Sequence, residues 1–280
     1  MKTFLNAAWQ FCSYLFWPQW GRNRKTEHEG TKEEKVMKRK AIIIGNSRDL
    51  NATPQDMLRF TKFLMSLQGG AWEKEEIVEC KDKSADEILK VIDDIKAEDN
   101  DYVIVYFTGH GGVQGDTILE VNPALELLKE NSFFGLAPRQ LNILDCCRCT
   151  ITTTLSIYGS SRSISSMQRA LRDEVRKEYD EIVMNAAPQL VRMYSCREGE
   201  SSWPSKNGSY YTNNLIGCAK DLLNTNSVVR VYQCHEAAAV RTAADVQNDL
   251  HRDQHPDIIP TKCLAQAELP ICFNPTVLKP

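Results

Sequence analysis

The stretch Asp101-Tyr-Val-Ile-Val-Tyr-Phe-Thr-Gly-His-Gly-Gly112 decides the reading of this chain. Tyr102 to Phe107 is an unbroken apolar and aromatic run, without the polar alternation of a half-exposed strand, so it suits a strand buried on both faces. The run stops abruptly in Thr108-Gly-His-Gly-Gly112. Leu141-Asn-Ile-Leu-Asp-Cys-Cys-Arg-Cys149 behaves in the same way, an apolar run ending in chemically capable residues. Buried strands of an α/β sheet deliver their last residues to the carboxyl edge, where such folds hold their ligands. One strand delivers His110 and the other Cys147, a base and a thiol, the minimum set for a cysteine nucleophile.

Outward from these two stretches, the chain alternates strands with helices. Lys40 to Gly45 predicts a first strand, and Thr53-Pro54 an N-cap with proline in the first helical turn. That helix continues through Met57, Phe60, Phe63 and Leu64 to a stop at Gly69-Gly70. Glu76 to Cys80 predicts a second strand. Ser84-Ala-Asp-Glu87 is a capping box opening a helix that turns Ile88, Leu89, Val91, Ile92 and Ile95 inward. With the Asp101 and Leu141 strands third and fourth, this order implies a parallel sheet with right-handed crossovers. Beyond Thr150 the periodicity lapses: Thr152 to Gln168 reads as an exposed loop, and a charged helix runs from roughly Ser166 to Glu181. Leu190 to Ser195 predicts a fifth strand, Ser209 caps a helix reaching Leu223, and Glu236 to Leu250 forms a last helix. Thr261 to Phe273 is extended enough to supply a closing strand.

The first twenty residues stand apart. No charge occurs from Phe4 to Trp20, and Trp9, Phe11, Tyr14, Phe16, Trp17 and Trp20 are all aromatic. On a helix, Lys2, Asn6, Gln10 and Ser13 would make one narrow polar stripe. The segment falls short of the about 20 apolar residues of a membrane span. It is expected to lie in a membrane interface, with Arg22, Arg24 and Lys25 on anionic lipid. Docking of this helix on the protein's own core or on a partner is the alternative.

The 34 basic residues nearly balance the 37 acidic ones, which argues against nucleic-acid binding. Ten cysteines are scattered through a chain too long to need a disulfide framework. No pair of CxxC units stands ready to hold zinc, so no metal site is expected. Reduced thiols in a cytoplasmic protein, membrane-associated if the first helix binds lipid, is the expectation.

In order along the chain stand Ile42-Ile-Ile-Gly-Asn46, Tyr106-Phe-Thr-Gly-His-Gly-Gly112, Leu144-Asp-Cys-Cys-Arg148, and Tyr194-Ser-Cys-Arg-Glu-Gly-Glu200 with Gly208-Ser-Tyr-Tyr-Thr212 after it. Together they resemble the caspase-like cysteine peptidases, the superfamily of caspases, paracaspases and metacaspases, over roughly residues 40 to 273. The paracaspase and metacaspase types are the nearer ones. The resemblance implies an α/β fold with a mostly parallel sheet between helices on both faces, a three-layer sandwich. With residues 1–38 read as an apolar helix and charged linker, the resemblance implies 39–157 as a large-subunit-like region, 158–188 as an interdomain linker and 189–280 as a small-subunit-like region. The spacing of 37 residues from His110 to Cys147 is shorter than the roughly 50 of caspases, so the loop between them looks trimmed. Arg148-Cys149 also departs from the family, which has Arg-Gly or His-Ser-Gly there.

By this resemblance Cys147 and His110 are the catalytic dyad, and the amides of Gly111 and Cys147 form the oxyanion hole. Cys146 is the rival nucleophile, but strand neighbours point to opposite faces, and the family register selects Cys147. Asp56, Asp145 and Glu200 match the acidic residues lining the first specificity pocket of paracaspases, which implies cleavage after Arg or Lys. Each of the outer two has a plainer reading: Asp56 suits a first helical turn and Glu200 an ordinary loop charge. Asp145, ending an apolar strand, has no such local reason. Asn51 to Asp56 lacks the arginine of aspartate-specific caspases, the alternative specificity. A catalytically weak scaffold is the alternative of a different class. His235, His251 and His255 read as solvated, and Trp203 as a wall of the substrate groove or a packing residue. A regulated signalling or cell-death protease acting on protein substrates is implied, with homodimerisation a further expectation. No cofactor is expected, and calcium activation as in many metacaspases is left open. An enzyme preferring basic residues would find self-cleavage sites at Arg162 and Arg169, ahead of Arg172 and Arg176 in the expected helix.

Overall fold

Residues 36–150, 169–259 and 263–278 are described by the computed structural model. The expected interfacial helix, its membrane contact through residues 1–25, and Arg162 lie outside the described residues. β1 (Arg39–Gly45), α1 (Thr53–Met65), β2 (Ile77–Lys81), α2 (Ala85–Ala97) and β3 (Tyr102–Thr108) keep the predicted order. The α2 capping box forms in both directions, Ser84 N–H donating to Glu87 Oε2 and Glu87 N–H to Ser84 Oγ. Two local readings are corrected. Ala52, not Thr53, is the N-cap of α1, because the Thr53 hydroxyl donates to Asn46 O instead. Leu89 is exposed and Val91 half-buried, since α2 buries only the narrower stripe Ile88, Ile92 and Ile95.

Between His110 and Cys147 the chain is structured, not merely trimmed. β4 (Gly111–Gln114), β5 (Asp116–Glu120) and β6 (Leu127–Lys129) form a three-stranded antiparallel sheet. β7 (Arg139–Asp145), α3 (Arg169–Asn185) and β8 (Gln189–Tyr194) come next, then the short hairpin β9 (Pro204–Ser205) and β10 (Gly208–Ser209). α4 (Tyr210–Leu222), β11 (Val228–Arg230), α5 (Val231–Leu250), β12 (Asp257–Ile259) and β13 (Pro270–Phe273) complete the elements.

The main sheet runs β12-β8-β7-β3-β1-β2. Its strands are parallel except β12, which pairs antiparallel to β8. Asp257 to Ile259 therefore closes this sheet, and the extended C-terminal segment instead places β13 beside β11 in a separate ribbon. Alternation along β1 and β3 separates two cores. Ala41, Ile43, Ile104 and Tyr106 face α1, α3, α4 and α5, whereas Ile42, Ile44, Val103, Val105 and Phe107 face α2 and the β4–β6 sheet. The result is the expected layered α/β sandwich. Phe60 of α1 stacks on Tyr106 at 4.3 Å between centroids, a pair that adds about 0.5–1.5 kcal/mol beyond its buried area.

α3 is built into this core although it falls in the stretch expected to link two regions. It buries Val175, Tyr179 and Val183, and its Asp180 accepts from the buried Arg39 at 2.6 Å. Arg169, one of the two favoured self-cleavage sites, is the first residue of this helix.

Candidate active site

The site grows from one register. β3 and β7 pair in parallel with Thr108 opposite Asp145, and His110 and Cys147 each stand two residues further on. Neighbouring strands lie about 4.8 Å apart, so both side chains arise from adjacent strand ends at one edge of the sheet. Gly109 N–H donates to Asp145 O at 3.2 Å and carries the pairing past the last ladder position.

His110 is half-buried, and its Nε2 lies 2.9 Å from Arg48 O. A carbonyl only accepts, so Nε2 carries a proton and Nδ1 is the ring nitrogen left to take one. Cys147 is half-buried, and its Sγ lies 3.7 Å from Ser202 O. Burial pushes its thiol up, so at rest the sulfur is protonated and needs a base. Cys146 has the opposite fate. It is 1% exposed within the α2-side core, and a Cβ on Gly111 would stand 2.7 Å from its Sγ. The loop after the nucleophile is fixed from outside: Arg148 N–H donates to Glu200 O, Gly199 N–H donates to Arg148 O, and the Arg148 guanidinium lies 4.0 Å over the Tyr194 ring.

Behind the thiol lie two buried carboxylates, Asp145 on β7 and Asp56 on α1, and both converge on Ser209. Ser209 N–H donates to both oxygens of Asp56, at 2.9 and 3.0 Å, while its hydroxyl donates to Asp145 Oδ2. Thr212 adds its hydroxyl (2.7 Å) and N–H (3.2 Å) to Asp145 Oδ2, and Ser202 Oγ donates to Oδ1 at 2.8 Å. Asp145 thus sits at the N-terminus of α4, where a carboxylate is favoured by the orphan amides and the helix dipole. The structure supplies a local reason for this residue that the sequence pattern does not show. Asp56 is pushed up to about 8, by burial first and then by the Asp145 charge. Arg59, three residues further along the same helix, lowers it by less than burial raises it, and donates to Asn207 O and the Asn213 side chain. Gly208 makes the approach: its φ is +104°, and an added Cβ would lie 2.2 Å from Asp56 Oδ1.

Glu200 does not join this pair in the structure. Its carboxylate takes His255 N–H at 2.7 Å and His255 Nδ1 at 2.8 Å. Burial raises its pKa, but these bonds outweigh burial and hold it below the usual carboxylate range. His255 is therefore engaged, and His235 is the larger correction to the solvated reading. It is 2% exposed on α5, bonded to Tyr211 OH at 2.8 Å, and held neutral by burial with a pKa down at about 4. His251 alone is exposed, at the left-handed C-cap of α5. Trp203 anchors its loop through N–H bonds from its backbone to Gln254 and from its ring to Asp253 O. Among the described residues no group of three His, Cys, Asp or Glu is arranged to hold a metal ion, and no helix is long and apolar enough to cross a membrane.

The donors around the carboxylates, Ser202, Ser209 and Thr212, escape sequence reading because they lie 57 to 67 residues from Asp145. The one signal was Ser209 itself, legible as a helix cap. Chemically, the edge offers a thiol, an oriented imidazole and, two residues before the thiol, a buried pair of acidic side chains.

The caspase domain family model matches residues 38–261. Among solved structures, the chain is similar to caspase-1 from Spodoptera frugiperda, at 16% identity and a TM-score of 0.54, covering 80% of this chain and 86% of that one. A search of curated proteins finds no match. With the fold, the order of the motifs and a family model spanning most of its length in agreement, the chain belongs to the caspase-domain family and is a cysteine-type endopeptidase.

Proposed function

We propose that Cys147 and His110 are the catalytic dyad and that the enzyme cleaves protein substrates after Arg or Lys. The observation that carries the specificity is the convergence of Asp56 and Asp145 on Ser209, two buried carboxylates at the strand edge bearing the thiol, with no ion pair to either among the described residues. A substrate guanidinium supplies the missing positive charge and bonds such oxygens bidentately. An Asp side chain entering the same recess would be crowded against two acidic side chains, with no cation among the described residues ion-paired to either.

His110 Nδ1 takes the Cys147 proton as sulfur attacks the scissile carbonyl, forming the S–C bond. It returns that proton to the departing amine, and water then releases the acyl group. Burial disfavours the thiolate of Cys147, so the chemistry needs a base beside it to take the proton. The amides of Gly111 and Cys147 face the developing oxyanion in this reading, and losing such a donor costs about 10²–10³ in rate. Glu200, bonded to His255, contributes to the rim of the recess only if that pair opens. Self-cleavage in the connection before α3, at Arg162, and a regulatory rather than digestive role complete the proposal.

Cleavage of a peptide library varied at P1, with and without calcium, tests it. Arg and Lys substrates should be cut and Asp substrates should not. Cleavage confined to Asp at P1 would overturn the specificity while leaving the dyad standing.

A further inference from the structure

Glu120, at the end of β5, grips two things at once. Its N–H donates to His110 O at 3.0 Å. Its Oε1 accepts from Asn46 Nδ2 at 2.8 Å and stands 3.1 Å from Arg48 Nε as an ion pair. Arg48 Nε and Nη1 are buried without an aligned hydrogen bond, so the Glu120 charge is what compensates a guanidinium drawn out of water. Arg48 in turn supplies the carbonyl that accepts from His110 Nε2. The turn would not keep this shape unaided. Asp49, the next residue, has a φ of +51°, a left-handed conformation that costs a non-glycine residue about 1 kcal/mol or more. Asn46 Oδ1 holds the Arg48 N–H at 3.0 Å, and Asp82 holds Ser47 by two bonds of 2.7 Å.

We propose that Glu120 is a positioning residue for the peptidase reaction, holding the His110 main chain and the Arg48 turn together so that the imidazole keeps its tautomer and its angle towards Cys147. The proposal rests on the reading of His110 as the base. Its physical basis is that a displacement of about 1 Å in a reacting group costs on the order of 10²-fold in rate.

The test is steady-state kinetics of the full chain on an Arg-P1 peptide, with thermal stability recorded for each variant. Glu120→Ala should lower kcat by about 10–100-fold and leave KM within about twofold, since the groove is untouched. Glu120→Gln keeps the acceptor for Asn46 but not the charge for Arg48, and should recover part of the loss. Arg48→Met removes the same ion pair from the other side and should reproduce the fall in kcat. The double variant Arg48→Met/Glu120→Gln should cost no more than the worse single one, because both break one link. Where Glu120→Ala does not fold, the Gln and Arg48 variants decide alone. A kcat within about threefold of wild type in all of them overturns the proposal, as does a loss that tracks thermal stability and KM together without recovery by Gln. His110→Ala is measured beside them. Retained activity there overturns the base assignment and this proposal with it, whereas its loss beside unmoved Glu120 variants overturns this proposal alone.

Discussion

Cys146 and Cys147 are chain neighbours with different surroundings, and the difference is strand alternation continued past the end of β7. Cys146 is sealed into the core beneath Gly111, and burial raises its thiol far above the ordinary range. Cys147→Ala should abolish peptide cleavage, while Cys146→Ala should retain most of it at a stability cost of about 1 kcal/mol. Equal losses at unchanged stability would contradict the assignment. Asp145→Asn should weaken turnover of Arg substrates by about 2–5 kcal/mol in kcat/KM, because a guanidinium would lose its carboxylate partner. Asp56 offers a pH signature. An acid whose folded pKa is raised to about 8 holds its proton more tightly than the unfolded chain does. Its contribution to stability is full below the ordinary carboxylate range and is lost as pH rises towards about 8. Wild-type Tm should therefore decline across about pH 5–8, and Asp56→Asn should flatten that decline, gaining about 1–3 kcal/mol at the alkaline end. Substrate guanidinium draws the same proton off, so preference for Arg over a neutral P1 residue should grow through that range. A flat preference would remove Asp56 from the recess.

At the scale of elements, the site is assembled by a hairpin and a helix end reaching back to two strand ends. β9 and β10 bring Gly208 and Ser209 onto Asp56, and α4 brings Thr212 onto Asp145. Gly208→Ala should destabilise by about 2–4 kcal/mol, from a positive φ and a Cβ inside Asp56, and should lower kcat/KM for Arg peptides as well. Loss of neither would mean the hairpin moves freely. The order of strands and the helices α1, α2 and α4 were legible from apolar runs and caps because those signals are local. The β4–β6 sheet was not, since its strands are three to five residues long and carry too few alternations to distinguish from loop. Nor was the closing strand: Asp257-Ile-Ile259 is only three residues, and Pro270 to Phe273 looks just as extended. His235 reads as solvated because no acidic cluster lies near it in sequence, and its bond to Tyr211, 24 residues away, belongs to the folded core.

In the whole molecule, α3 ties the connection between β7 and β8 to the body of the fold. Arg39 lies under it at 2% exposure, bonded to Asp180, to Glu76 and to Gly70 O. Arg39→Ala should cost about 3–5 kcal/mol, because removing it takes the bonded cation from the partly buried Asp180 carboxylate and leaves Glu76 with Arg176 alone. A change under about 1 kcal/mol would show that α3 is held by its apolar face alone. Self-cleavage at Arg162 should leave two fragments that co-elute, since β7 and β8 pair along their lengths within one sheet. Mass spectrometry should find wild type cut and Cys147→Ala whole. Cleavage in both would assign the cut to another protease.

Cleavage after Arg or Lys requires a Cys147 nucleophile beside a recess that accepts a cation. Acyloxymethyl ketone peptides carrying Arg or Asp at P1 test this, because attack by the Cys147 sulfur expels a carboxylate and leaves a stable thioether readable by peptide mapping. A single adduct on Cys147 is expected with the Arg reagent, none with the Asp reagent, and loss of labelling in Asp145→Asn. An adduct on Cys146 or Cys149, or labelling by the Asp reagent alone, would contradict it.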